Sequence, residues 1–134
     1  MTPTQETHRV AKEKIKILWT KVGAHVKFMS PDEHDKILGY TSHLPHLAAY
    51  ALMETIPAEF LVYGAQGLKD TTRIAGSSNE MWADIAVSNK KNIIKAIDEM
   101  AKNLSLMRKA ISTNDQKTLL HLFKNAKTKR DSLS

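Results

Sequence analysis

Residues 77–111 read SSNEMWADIAVSNKKNIIKAIDEMAKNLSLMRKAI, and the periodicity of this stretch decides the fold class. Ser77-Ser78-Asn79-Glu80 has the S-x-x-E form of a capping box, in which hydroxyl and carboxylate satisfy the free N–H groups at a helix start. From there Trp82, Ala86, Asn89, Ile93, Ile97, Met100, Leu104, Met107 and Ile111 recur at steps of three and four. That is the seam of one long amphipathic helix. At 1.5 Å per residue it would run roughly 45 Å. A chain of 134 residues folded on itself does not cover such a length, so the pattern favours a helical homodimer.

Working toward the N-terminus, Ser30-Pro31-Asp32-Glu33 is a second capping box, with proline at the first helical position. It opens a helical pattern that continues to about residue 55, with Ile37, Leu44, Leu47, Ala48, Ala51 and Leu52 available to a core. Pro45 lies inside it. Its missing N–H and its ring predict a kink or break near Ser42. A first helix is predicted over residues 5–22, with Val10, Ile15, Leu18, Trp19 and Val22 on one stripe and Gly23 as its stop. Residues 24–29 read as a short extended link, and Pro57 with residues 63–67 as an irregular connection. A last helix begins near residues 113–116 and offers Leu119, Leu122, Phe123 and Ala126 to the interior. No alternation of strands and helices and no internal repeat is visible. The fold class is mainly α: long helices packed in a bundle, one domain over residues 1–134, with an intertwined homodimer expected.

The composition, 42% hydrophobic and 25% charged, is that of a globular domain with a packed core. The absence of cysteine excludes disulfides, thiolate zinc sites and cysteine nucleophiles. The longest nearly apolar run, residues 47–53, is far short of the roughly 20 residues that span a bilayer. The first six residues lack the basic start and apolar stretch of a secretory signal, so no membrane association and a cytoplasmic address are expected. The formal charge of +6 attracts polyanions, acidic ligands or nucleic acid without choosing among them. Its clusters, in residues 12–21, 90–109 and 124–130, fall mostly on polar helix faces, which such helices need in any case. A basic helical nucleic-acid-binding module is therefore the alternative, and no nucleic-acid partner is expected.

Two stretches can carry recognition chemistry. If the second helix persists through its kink, Asp35, Gly39, Ser42 and His46 lie on one stripe, a polar wall beside exposed backbone groups. The same pattern also fits a capped, hydrogen-bonded helix junction. His43 and His46 share a face, but two imidazoles without further ligands at suitable spacing make a weak metal signal, and no metal is expected. The second stretch is Gly67-Leu68-Lys69-Asp70-Thr71-Thr72-Arg73, read as a glycine loop meeting a helix start that Asp70 or Thr71 caps. Free N–H groups and a guanidinium there suit an anion. An arginine paired structurally with Asp70 or a neighbouring carboxylate fits equally. Trp82 reads as a core residue by position. There is no G-x-S-x-G turn, and adjacent Ser42 and His43 do not make a triad.

These residues, in order and spacing, resemble the C-terminal domain of the prephenate and arogenate dehydrogenases. The resemblance rests on His34-Asp35, Ser42-His43-Leu44-Pro45-His46, Asp70-Thr71-Thr72-Arg73-Ile74-Ala75, Met81-Trp82 with Asp84-Ile85, and Asn89. It also takes in Thr2-Pro3-Thr4, Trp19 with Gly23-Ala24, residues 29–35 and residues 126–130, nearly the whole chain. It implies an enzyme of tyrosine biosynthesis that oxidises prephenate to 4-hydroxyphenylpyruvate with NAD or NADP and loss of carbon dioxide. In such enzymes a nucleotide-binding domain precedes this one and carries both the G-x-G-x-x-G loop and the catalytic histidine. None of Gly23, Gly39, Gly64, Gly67 and Gly76 forms that loop, so the N-terminal domain is expected to be absent here and the chain alone inactive, with no cofactor bound.

By the same resemblance, His46, Arg73 and Trp82 contact substrate, Gly67 approaches from the dimer partner, and His34, His43, Asp70 and Ser42 support the pocket. Prephenate carries two carboxylates, which a basic wall would hold in register for hydride transfer. Leu68 and Lys69 stand where phenylalanine and arginine are usual, and Gly39 where alanine is common. Neither departure chooses between prephenate and arogenate, and the alternative reading is an arogenate dehydrogenase domain. A third is a dimeric regulator binding an aromatic amino acid or its precursor in the same pocket.

Overall fold

The computed structural model describes residues 1–133, which are mainly helical and contain no strand. The elements are α1 (Arg9–Lys21), α2 (Pro31–Leu38), a π-helical turn (Gly39–His43), α3 (Leu44–Thr55), a 3-10 turn (Ala58–Tyr63), α4 (Gln66–Thr72), a second 3-10 turn (Arg73–Gly76), α5 (Asn79–Ser88), α6 (Lys90–Ser112) and α7 (Gln116–Asp131). None of these helices is long and apolar enough to cross a membrane. The chain divides within α6 into two units, Met1–Ile93 and the residues from Ile94 onward.

In the first unit the boundaries follow the capping chemistry. Ser30 Oγ accepts the Glu33 N–H at 3.1 Å and Pro31 opens α2. Gly23 ends α1 with φ +88°, a left-handed conformation that favours glycine. The predicted link over residues 24–29 is held in place by the chain start. The terminal ammonium donates to Lys27 O at 2.7 Å, Met29 N–H donates to Met1 O at 3.2 Å, and Lys12 Nζ sits 4.3 Å above the Phe28 ring. Tyr50 on α3 donates to Ser77 O at 3.0 Å, tying α3 to the segment that leads into α5. Ala49, Trp82 and Ile93 are buried.

The predicted single helix over residues 77–111 is interrupted. α5 ends at Ser88, Asn89 takes φ −108° and ψ 30°, and α6 starts at Lys90. An asparagine side chain offers hydrogen bonds that compete with helical geometry, and here it is bonded sideways to other elements. The N-cap of α5 is Ser78, not Ser77. Ser77 is spent elsewhere: its Oγ donates to Ile74 O and its carbonyl accepts from Tyr50.

In the second unit, α6 turns into α7 through Asn114 at φ 52°, and Asp115 caps α7 by accepting the Thr118 N–H at 3.0 Å. Hydrogen bonds from Thr118 hold the Asp115 carboxyl below its ordinary value. The expected seam is corrected here. Ala96 and Ala110 are buried and Met100 and Met107 half-buried, whereas Ile97, Leu104 and Ile111, seven residues apart, are 43%, 55% and 62% exposed. Phe123, expected inside, is also exposed, while Leu119 and Leu122 are half-buried. The apolar stripe of α6 is thus covered at its small residues, while the branched ones remain outside.

Candidate functional site

Pro45 creates the first half of the site. Lacking an N–H, it cannot bond the carbonyl four residues back, and its ring crowds the preceding turn. The chain responds by widening: Leu44 N–H bonds Gly39 O, five residues back, and residues Gly39–His43 form the π turn. Gly39 is buried against the start of α6, where an added Cβ would lie 3.1 Å from Asn92 Cβ. The close approach of the π turn to α6 therefore depends on a small residue at 39.

Trp82, one turn into α5, is the platform of the site at 7% exposure. The His46 imidazole stacks on it with centroids 3.6 Å apart and planes at 21°. The His43 imidazole meets it edge-on at 6.0 Å and 77°. Trp82 Nε1 is buried and has no hydrogen-bond partner. Asn89 joins the elements: its Nδ2 donates to Asp35 O at 2.7 Å and lies 3.2 Å from His43 Nδ1, and its Oδ1 accepts from Asn92 Nδ2 at 2.8 Å. His46 Nδ1 donates to Ser42 O at 3.0 Å, and His34 Nδ1 lies 3.0 Å from Asp35 Oδ1. Burial pushes the His43 imidazole below its ordinary value. Nearby Asp35 opposes that shift, and His34 and His46 add to it.

The structure thus brings His43, His46 and Trp82 together and sets Asp35 and His34 beside them. Of the expected stripe, Asp35 and Ser42 contribute their backbone carbonyls, and it is His43, outside that stripe, that meets Asn89. Asn89 ties the junction together by hydrogen bonds, as the reading of a bonded helix junction expects.

The second stretch departs from expectation. Residues 66–72 are helix α4, which starts at Gln66 behind an Ala65 N-cap that makes no side-chain bond. Gly67 is therefore inside the helix, and Asp70 and Thr71 cap nothing. Their side chains close on their own helix: Gln66 Nε2 donates to Asp70 Oδ1 at 2.7 Å, Thr71 Oγ1 to Gly67 O and Thr72 Oγ1 to Leu68 O. Asp70 consequently is not the structural partner of Arg73. Arg73 opens the following 3-10 turn with an exposed side chain, and among the described residues it forms no ion pair. Among the described residues no bond or ring contact links it to the His–Trp cluster.

No group of three metal-ligating side chains occurs among the described residues. Sequence reasoning placed Asn89 in an apolar seam and missed it as the hub of the site. The available signal was a lone amide on an otherwise apolar stripe, a position that a core tolerates only when the amide is bonded.

Residues 30–125 match the family described as prephenate dehydrogenase, dimerization domain. A prephenate dehydrogenase of Bacillus subtilis is 38% identical over 139 residues, covering 99% of this chain and 38% of that protein. A cyclohexadienyl dehydrogenase of Zymomonas mobilis is 31% identical over 137 residues, covering 97% of this chain and 47% of that protein. Among solved structures, a prephenate dehydrogenase from A. aeolicus in complex with hydroxyphenyl propionate and NAD+ superimposes with a TM-score of 0.88 at 37% identity, over 99% of this chain and 49% of that one. An arogenate dehydrogenase of Synechocystis, at 21% identity, shares the fold with a TM-score of 0.84. The chain spans less than half the length of these curated relatives.

Proposed function

The chain belongs to the family of prephenate dehydrogenase dimerization domains, and from that premise we propose that it supplies substrate binding and dimerisation to an NAD- or NADP-dependent oxidative decarboxylation of prephenate. The observation that carries the reading is the His46 imidazole stacked on a buried tryptophan whose own N–H is partnerless. A flat imidazole stacked on an indole offers a surface suited to the ring of such a substrate. His46, Trp82 and Arg73 are assigned to substrate contact, and Gly67 to an approach from a second protomer. His34, His43, Asp70 and Ser42 are assigned to support. The exposure of Arg73 and the commitment of Asp70 to Gln66 support the arginine's role, since they leave the guanidinium available for a carboxylate.

The residues of this chain do not fit a dinucleotide: its five glycines form no phosphate-binding loop. We assign the cofactor and the catalytic acid–base group to a separate N-terminal nucleotide-binding domain. On its own this chain binds ligand without turnover, in the cytoplasm. Joined to the nucleotide-binding domain of a relative, the Arg73→Ala variant is expected to lose about 2 to 5 kcal/mol in kcat/KM, as when one partner of a buried charged contact is removed. An unchanged value would remove Arg73 from the site. Calorimetry of this chain with prephenate, arogenate and tyrosine separates the dehydrogenase reading from an arogenate-specific or purely regulatory one.

The dimer reading rests on the row Ile97, Leu104 and Ile111, which stays exposed at heptad spacing. In sedimentation at micromolar concentration the chain is expected to be a dimer and Leu104→Lys a monomer. A monomeric unmodified chain would sink that assignment.

A further inference from the structure

We infer that Asn89 is a positioning residue that fixes the tautomer of His43, so that the two imidazoles flanking Trp82 carry their ring protons on opposite nitrogens. The argument starts from a backbone carbonyl, which can only accept. Asp35 O lies 2.7 Å from the Asn89 amide group, so the atom facing it is the NH2. The other end of that amide is then the carbonyl, and Asn92 Nδ2 donates to it at 2.8 Å, which agrees. The second hydrogen of the same NH2 is directed to His43 Nδ1 at 3.2 Å. A nitrogen facing a donor must offer its lone pair, so neutral His43 carries its proton on Nε2.

His46 is set the other way by the same logic. Its Nδ1 lies 3.0 Å from Ser42 O, again a pure acceptor, so Nδ1 holds the proton and Nε2 keeps a lone pair. One tryptophan face and edge thus meet an imidazole with an outer donor and an imidazole with an outer acceptor. Among the described residues no hydrogen bond engages His43 Nε2, and the half-buried ring does not seal that atom away. A ligand that accepts at one end and donates at the other, such as one bearing a carboxylate and a hydroxyl or ammonium, matches this pair. That use rests on the reading of the cluster as a ligand wall; the tautomers themselves do not.

The charged and titratable groups around His43 are Asp35 and His34 from α2 and His46 from α3, while α5 and α6 present only the neutral Trp82, Asn89 and Asn92. The test is nitrogen-15 NMR of the imidazoles in the full chain, at a pH about two units above the ordinary histidine value. The expected result is a pyridine-like Nδ1 and pyrrole-like Nε2 in His43, with the reverse in His46. In Asn89→Asp, nearly the same shape with an acceptor in place of the donor, His43 should move its proton to Nδ1 and titrate about 1 to 3 units higher, while His46 keeps its pattern. A proton on His43 Nδ1 in the unmodified chain, or a freely exchanging mixture, would overturn the inference. So would a folded Asn89→Asp with an unchanged His43. If Asn89→Asp does not fold, the unmodified chain decides alone. A chain that shows both tautomers yet binds no hydroxyphenyl propionate supports this inference and sinks the preceding proposal.

Discussion

The His–Trp cluster and the segment around Arg73 are both rich in polar groups, yet they are built on opposite principles. In the cluster, bonds run between elements: Asn89 reaches from the α5–α6 junction to α2 and to the π turn, and His46 of α3 stacks on Trp82 of α5. In the 66–73 segment the side-chain bonds of Gln66, Thr71 and Thr72 return to their own helix, and the arginine at its end stays in solvent. The first region is therefore preorganised by this chain, its geometry fixed before anything binds. The second has a shape fixed by local helix formation and a charge that no ion pair engages among the described residues. Recognition that combines them would take its geometry from the first and its charge from the second.

The difference is broken most severely at Trp82. Replacing this buried ring by alanine removes the platform of both imidazoles and leaves a cavity, so Trp82→Ala is expected to lose about 3 to 5 kcal/mol of stability. Urea unfolding at fixed protein concentration measures it, the fixed concentration being needed because any self-association contributes to apparent stability. A loss below about 1 kcal/mol would mean that the cluster collapses around the gap and is not a rigid wall.

Several starts and stops were legible because they depend on near neighbours in sequence: Ser30 before Pro31, Gly23 after α1, the turn into α7 near Asp115, and Pro45 inside a helical run, whereas the starts of α1 and α4 lay elsewhere than expected. What Pro45 produces was less legible. A break and a π turn both answer a missing N–H, and the choice depends on Gly39 fitting against Asn92, far away in sequence. The same holds for Ser77 and Asn89, whose side chains left the expected cap and seam for partners on other elements. In α6 the spacing of apolar residues identified the helix but not which face is covered, because Ile97 and Ala96 are adjacent and only packing separates them. The pairing of His43 and His46 with Trp82 was legible through the family resemblance, not through spacing.

A gentler way to sharpen the contrast is pH. Burial holds the folded His43 imidazole below its ordinary value, so the unfolded chain takes up a proton there first as pH falls. Stability should therefore decline as pH drops through about 6.5, the unfolded value, and this contribution should level off below the folded value. Histidines elsewhere titrate too, so the measure is the difference from His43→Gln, which cannot take up that proton. Its unfolding midpoint should fall less over the same pH range, and identical pH dependence in the two chains would show that His43 is not held neutral by its surroundings.

The smallest effect is expected at Arg73, and its smallness carries the argument. The side chain is exposed and forms no ion pair among the described residues, so Arg73→Ala should change stability by less than about 0.5 kcal/mol. A guanidinium that matters to function but not to folding must take its partner from outside the folded chain. Unfolding and catalytic efficiency measured on the same variant therefore divide the two regions cleanly. Should Arg73→Ala instead lose about as much stability as Trp82→Ala, the arginine would belong to the scaffold, and the charge for an anionic ring would have to be sought elsewhere.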